Sequence, residues 1–315
     1  MQTNTLRTGL LLILAVTLTD ATGGQSPEIG PAPRLWELRA IETLILREEY
    51  DIAVNAAREL ARQTEQLHGP KYLGLADIHG LLGTALRKQG RLPEARIAIE
   101  KMLELRKHSL GELAGLSIIA LRELAGLHRE AGRLDDARKL AEHAKDLVER
   151  IPPYETLEAT ILVELAQVLT AQKNDASARP LLVRALSLQE KSLGGGSAVT
   201  NQTMRLLVEL HERGGHQEQA ESLRKRLTEE PVDPTPRCLF VVPALQTVAD
   251  MYRRGGDMQT PVELARRSLK VAEEDLGPED PSTVAVREDL AVIEAAARAA
   301  PGKPAAPGAP EGARP

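Results

Sequence analysis

Seven histidines and one cysteine are the side chains of this 315-residue chain best suited to hold a metal or to act as nucleophiles. Their spacing argues against both. Cys238 is alone, so an intrachain disulfide and any CxxC metal or redox pair are excluded. His211 and His216 stand five residues apart across a turn, a poor spacing for two ligands on one helix face. No P-loop, GxSxG, HExxH or glycine-rich dinucleotide turn occurs. Gly194–Gly196 follows a helical pattern and reads as a turn. Asn201-Gln202-Thr203 has the form of a glycan acceptor but falls where a helix is expected. These patterns predict no enzyme, no cofactor and no metal.

Composition narrows the remaining classes. The chain is 42% hydrophobic and only 2% aromatic, so Leu, Ala, Ile and Val must do most of the packing, and helices suit that mixture. A net charge of −5 and a pI near 5.9 offer no field that attracts nucleic acid. Residues 1–23 have the order of a signal peptide: one Arg, an apolar run from Leu10 to Leu18, then small residues. The run is shorter than the roughly 20 residues a bilayer span needs. Export to a secreted or periplasmic location is the expectation. A membrane-tethered sensor or assembly subunit is the alternative if residues 10–18 stay as an anchor. Residues 24–34 read as a linker, and 301–315, rich in Pro, Ala and Gly, as a disordered tail.

The charged residues take their meaning from a repeat. LRKQGRLPEARIAIE (Leu86–Glu100) and LHREAGRLDDARKLAE (Leu127–Glu142) share a Gly-Arg-Leu-x-x-Ala-Arg core, with Gly90 and Gly132 separated by 42 residues. Stepping from their alanines gives Ala53, Ala95, Ala137, Ala178, Ala220 and Pro261, at spacings of 42, 42, 41, 42 and 41. Sixteen residues beyond each stands Gly69, Gly111, Pro153, Gly194, Pro236 or Gly277, a helix breaker every time. Within a unit, Leu75, Ile78, Leu82 and Leu86 make one apolar helix face, Gly90 ends that helix, and Pro93 suits the first turn of the next. Twelve residues before each anchor stand Ile41, Gly83, Ala125, Ala166, Val208 and Ala249. Small residues facing one another there would let two helices approach closely. Each unit therefore reads as helix, tight turn, helix, and six stacked units can bury faces that one cannot.

With these slots filled by Leu82-Gly83…Ala95, Leu124-Ala125…Ala137 and Leu165-Ala166…Ala178, the chain resembles the tetratricopeptide repeat (TPR) family, in its 42-residue form similar to kinesin light chains. The resemblance implies an all-α fold, a right-handed α-solenoid of about six repeats. These would occupy residues 35–70, 71–112, 113–154, 155–195, 196–237 and 238–278, with a capping helix over 279–300. It departs in the tyrosine slot, where Leu86, His128, Leu169 and His211 stand and only Tyr252 conforms, and in Pro261 at the sixth anchor. The prolines of residues 230–245 predict a late start for the sixth first helix, with Phe240, Val241 and Val242 exposed or irregularly packed and able to pair chains.

The resemblance further implies a non-catalytic scaffold that binds a protein or peptide along a concave groove. The matching lining positions include the bases Arg87, Lys88, Arg122, Arg129, Arg205, Arg213 and Arg253, with Asp250 among the acids. A partner of acidic character would suit them, since Arg grips carboxylates bidentately. Arg87, Arg129, Arg213 and Arg253 also lie in last turns, where cations favourably meet the helix dipole. Arg122 and Arg205 lie near mid-helix and escape that reading. The Asn and Lys of some relatives' carboxylate clamp are absent, their positions holding Gly80, Thr84, Gly126 and Gln167.

Overall fold

A computed structural model describes residues 35–227 and 237–299; the leader, the linker and the tail read from the sequence lie outside the described residues. All the regular elements among these residues are helices: α1 (Leu35–Leu46), α2 (Tyr50–His68), α3 (Gly74–Lys88), α4 (Leu92–Leu110), α5 (Gly115–Glu130), α6 (Leu134–Val148), α7 (Glu155–Ala171), α8 (Asp175–Leu193), α9 (Ala198–Arg213), α10 (Gln217–Arg226), α11 (Cys238–Arg254), α12 (Thr260–Leu276) and α13 (Pro281–Ala299). Their contacts divide into two units. The first holds α2 to α10. The second joins Arg39–Glu48 to α11, α12 and α13.

In the first unit α3 pairs with α4, α5 with α6, α7 with α8 and α9 with α10, and each hairpin packs on the next through α2–α3, α4–α5, α6–α7 and α8–α9. This is an all-α solenoid built from neighbour contacts. The core lies in the seams. One seam buries Ile118, Leu121, Leu147, Leu157 and Ile161; the next buries Leu165, Leu182, Met204 and Leu207.

The elbows share one backbone geometry. Gly90, Gly132, Gly215 and Gly256 all have positive φ, and so do Glu48 and Lys173, which occupy the same slot without being glycine. The residue after the elbow then donates its N–H to a carbonyl five residues back. The pairs are Arg91 to Leu86, Arg133 to His128, Asn174 to Leu169, His216 to His211 and Asp257 to Tyr252, at 2.8–3.0 Å. That is the bond that closes a helix end whose next residue is left-handed. Its acceptors are the residues of the departed tyrosine slot. The backbone closes the turn whichever side chain stands there.

After each elbow the anchor residue returns to the core. Ala53, Ala95, Ala137, Ala178 and Ala220 are fully buried, and Pro261 is buried as well. Gly83 lies opposite Ala95, and Ile41, Ala125, Ala166, Val208 and Ala249 of the same slot are buried too. The approach is tightest at Gly83. A Cβ there would stand 2.4 Å from Ile99 Cδ1, 2.7 Å from Ile99 Cγ1 and 3.4 Å from the Ala95 carbonyl oxygen.

In the second unit α11 begins at Cys238, in register with the first helices of other hairpins, so the expected late start is not found. Pro243 lies inside the helix, where it removes one N–H from the ladder. Burial of Val241, Val242, Leu245 and Val248 holds the turn helical, which corrects the expected exposure of the two valines. Leu239 and Phe240 do remain exposed, and the Arg47 guanidinium lies 4.3 Å from the centre of the Phe240 ring. Cap helix α13 is fixed to α12 by Arg266–Glu294 at 2.7 Å and Arg287–Glu273 at 3.0 Å.

The Gly83 contact makes a sign-reversing prediction. In the parent chain Gly83→Ala overpacks Ile99, a cost of about 1–3 kcal/mol that exceeds the roughly 1 kcal/mol gained in helix propensity. In an Ile99→Ala background the same methyl enters the cavity left behind and should stabilise. Urea unfolding of the four-member cycle reads both signs.

Candidate functional site

Successive first helices of the hairpins share a face in the first unit, and α5 packs directly on α7 there. Its charges are coupled from helix to helix. On α3, Arg87 donates from Nε to Glu130 of α5 at 2.7 Å and from a terminal nitrogen to the other Glu130 oxygen. Arg129 of α5 donates from Nε to Glu164 of α7 at 2.9 Å and stands 4.0 Å from Glu130. Gly126 makes room for this rail. A Cβ at that position would meet Glu164 Oε2 at 3.3 Å and an Arg87 nitrogen at 3.4 Å. Burial alone would raise the Glu130 carboxyl; the hydrogen bond and charge of Arg87, with Arg129 and Lys88, outweigh it and hold the group below the ordinary carboxylate range.

The other expected lining residues lie in varied settings. Arg122 is half-buried and donates to Glu123 at 3.1 Å. Arg205, in the equivalent place on α9, is exposed, as is Lys88. Arg213 is 3.3 Å from Asp175 of α8. Asp77 is pinned by Arg106, a buried side chain of α4 that also donates to the Leu116 carbonyl and so ties α3, α4 and α5 together. Asp250 and Arg253 belong to the second unit and pair with each other at 2.5 Å. The face is thus closer to neutral than a count of its bases implies, because several of them are met by acids of the chain itself.

Glu164 is the participant that sequence reasoning missed. It sits in an apolar run, VELAQVL, at only 7% exposure. A lone acid within the apolar run of a helix was the available signal.

Three of the histidines, His128, His211 and His216, stand at elbows. His128 Nδ1 lies 3.6 Å from Asp136. The rings of His211 and His216 meet edge to face at 5.8 Å. Burial, with the charges of Arg179 and His216, holds His211 below its ordinary value. Asn201 of the glycan-acceptor triplet is buried on α9, out of reach of a modifying enzyme. Among the described residues no group of His, Cys, Asp and Glu is placed to hold a metal, and no helix is long and apolar enough to cross a membrane.

Comparison with known proteins decides the family. The family described as the MalT-like TPR region matches residues 40–238. The chain belongs to this TPR family. Among solved structures it is similar to a kinesin light chain-type protein of Podosopora anserina with nearly identical TPR-like repeats, at 16% identity over 60% of this chain and 90% of that one, with a TM-score of 0.50. It is also similar to the apo form of RapI, at 15% identity over 78% and 86%, with a TM-score of 0.51. BtubC of P. vanneervenii aligns at 19% identity over 87% and 99%, with a TM-score of 0.48. At these identities the likeness concerns the fold. No curated protein matches the sequence.

For the TPR face, Arg129 and Glu164 should behave as a buried pair. Removing one partner strands the other: Glu164→Gln or Arg129→Met alone is expected to cost about 3 kcal/mol. The double change to Met at both positions should recover most of that loss. Urea unfolding of the cycle distinguishes this from a surface pair, which would contribute less than about 1 kcal/mol.

Proposed function

We propose that this TPR chain is a non-catalytic scaffold that holds a peptide or protein segment along the face shared by α3, α5, α7 and α9. The supporting observation is the charged rail from Arg87 through Glu130 and Arg129 to Glu164. It fixes polar groups at repeat spacing on an otherwise apolar-cored solenoid. Such a face offers a partner many modest contacts. Its charges would set register and encounter rate more than free energy. A partner of acidic character would engage the exposed Lys88 and Arg205, and would compete with Glu123 for Arg122. The test is capture by residues 24–315 beside an Arg122→Glu/Arg205→Glu twin of equal stability. A partner held by the parent and lost by the twin supports recognition on this face; equal capture removes it.

The apolar run Leu10–Leu18 supports work outside the cytoplasm, with the mature chain starting near Gly24. N-terminal sequencing of exported protein should read a start near residue 24. An intact Met1 in the membrane fraction would instead establish the tethered alternative.

A further inference from the structure

Two elbows of the first unit carry basic residues at the same three positions, and the two acids that face them at one are replaced at the other. Aligned on the buried alanine, the cations are Arg96, His128 and Arg133 at one elbow and Arg179, His211 and His216 at the other. At the first, Arg96 bonds Glu100 at 2.5 Å and His128 lies 3.6 Å from Asp136. At the second, Val183 and Gln219 stand where those two acids would be.

The second set converges. A Cβ on Gly214 would be 2.7 Å from an Arg179 guanidinium nitrogen and 3.0 Å from the His216 ring, so both lie over this one glycine. The His211 ring meets the His216 ring at 5.8 Å. Arg179 Nε and His211 Nδ1 are buried with no hydrogen-bond partner among the described residues, as is His128 Nδ1 at the sister elbow; the acid near the second set, Asp175, faces Arg213 at 3.3 Å. Buried polar atoms in native proteins find protein, water or an ion. Helix α10 starts directly after His216 with no side chain capping its first N–H groups, which adds an anion-favouring helix terminus to the same spot. Arg179 and the exposed Val183 also line a shallow depression along α8, and His216 and Gly214 are exposed.

We propose that the elbow formed by Arg179, His211 and His216 binds a phosphate-class dianion, either free phosphate or a phosphate monoester. Donors arriving from α8, α9 and the turn suit a tetrahedral anion, and the Arg guanidinium can meet two of its oxygens. The site does not depend on the groove reading.

The test is titration of the full chain with inorganic phosphate and, separately, O-phosphoserine, following histidine C–H resonances by NMR at constant ionic strength with chloride as reference. Saturable shifts at His211 and His216 are expected, at least tenfold weaker in Arg179→Gln. Saturation by both ligands makes free phosphate sufficient; saturation by O-phosphoserine alone assigns the site to a phosphorylated side chain. Val183→Glu/Gln219→Asp removes no cation and should abolish the response by restoring the acids of the sister elbow. The reciprocal Glu100→Val/Asp136→Gln should create saturable shifts at His128. Shifts that never saturate, that chloride reproduces, or that survive unchanged in Arg179→Gln and in Val183→Glu/Gln219→Asp overturn the proposal.

Discussion

Close approach of paired helices at a small residue is the contact on which the rest of this structure depends. A chain with 2% aromatic residues has few side chains able to fill a wide gap between helices. Gly83 against Ala95 and Ile99, and Ala125, Ala166 and Ala249 in the same slot, bring the partners near enough for Leu, Ile and Ala to complete the seam. The elbow must then reverse the chain within a few residues, which requires a left-handed residue. At Glu48 and Lys173 that conformation is imposed on side chains that disfavour it by roughly 1–2 kcal/mol. At Lys173 the packing of α7 on α8 outweighs the strain, so packing sets that turn.

That ordering explains what the sequence made legible. The buried alanines, the small slot, Gly90 and Pro93 are written as residue types, and each is where the periodicity put it. Lys173 and Glu48 show the limit: the slot was legible and its backbone state was not, because composition cannot reveal strain that packing overrides. Pro243 misled for a related reason. One missing N–H was weighed as a helix stop, whereas burial of Val241 and Leu245 on either side of it holds the turn. On the shared face, positions could be placed but pairings could not. Arg87 and Glu130 are 43 residues apart, and only the stacking of hairpins brings them together.

Those pairings change what the face is. Arg87 to Glu130 and Arg129 to Glu164 connect first helices of neighbouring repeats, and Arg106 ties three helices by bonding Asp77 and the Leu116 carbonyl. Apolar seams resist separation but tolerate sliding; directed bonds between fixed side chains do not. The charged groups therefore set the register between repeats, and their partial burial leaves a surface with little net charge. Gly126 belongs to the same device, since any larger side chain would displace the groups that bridge over it.

In a solenoid each repeat answers mainly to its neighbours, so a change at one elbow is felt locally and leaves the remaining repeats as they were. The two histidine elbows illustrate the consequence. Both keep the same backbone closure and basic residues at the same three positions, and the acids that face them stand at Asp136 and Glu100 but are replaced by Gln219 and Val183. Nothing in the turn itself requires either set. Arg179 and His216 are drawn together over Gly214, and burial, with the charges of Arg179 and His216, disfavours the charged form of His211. A fold that needed only a turn would gain from the acids of the sister elbow. Of the two elbows built with histidine in this slot, the one at His211 is therefore the one whose basic residues the turn itself does not explain.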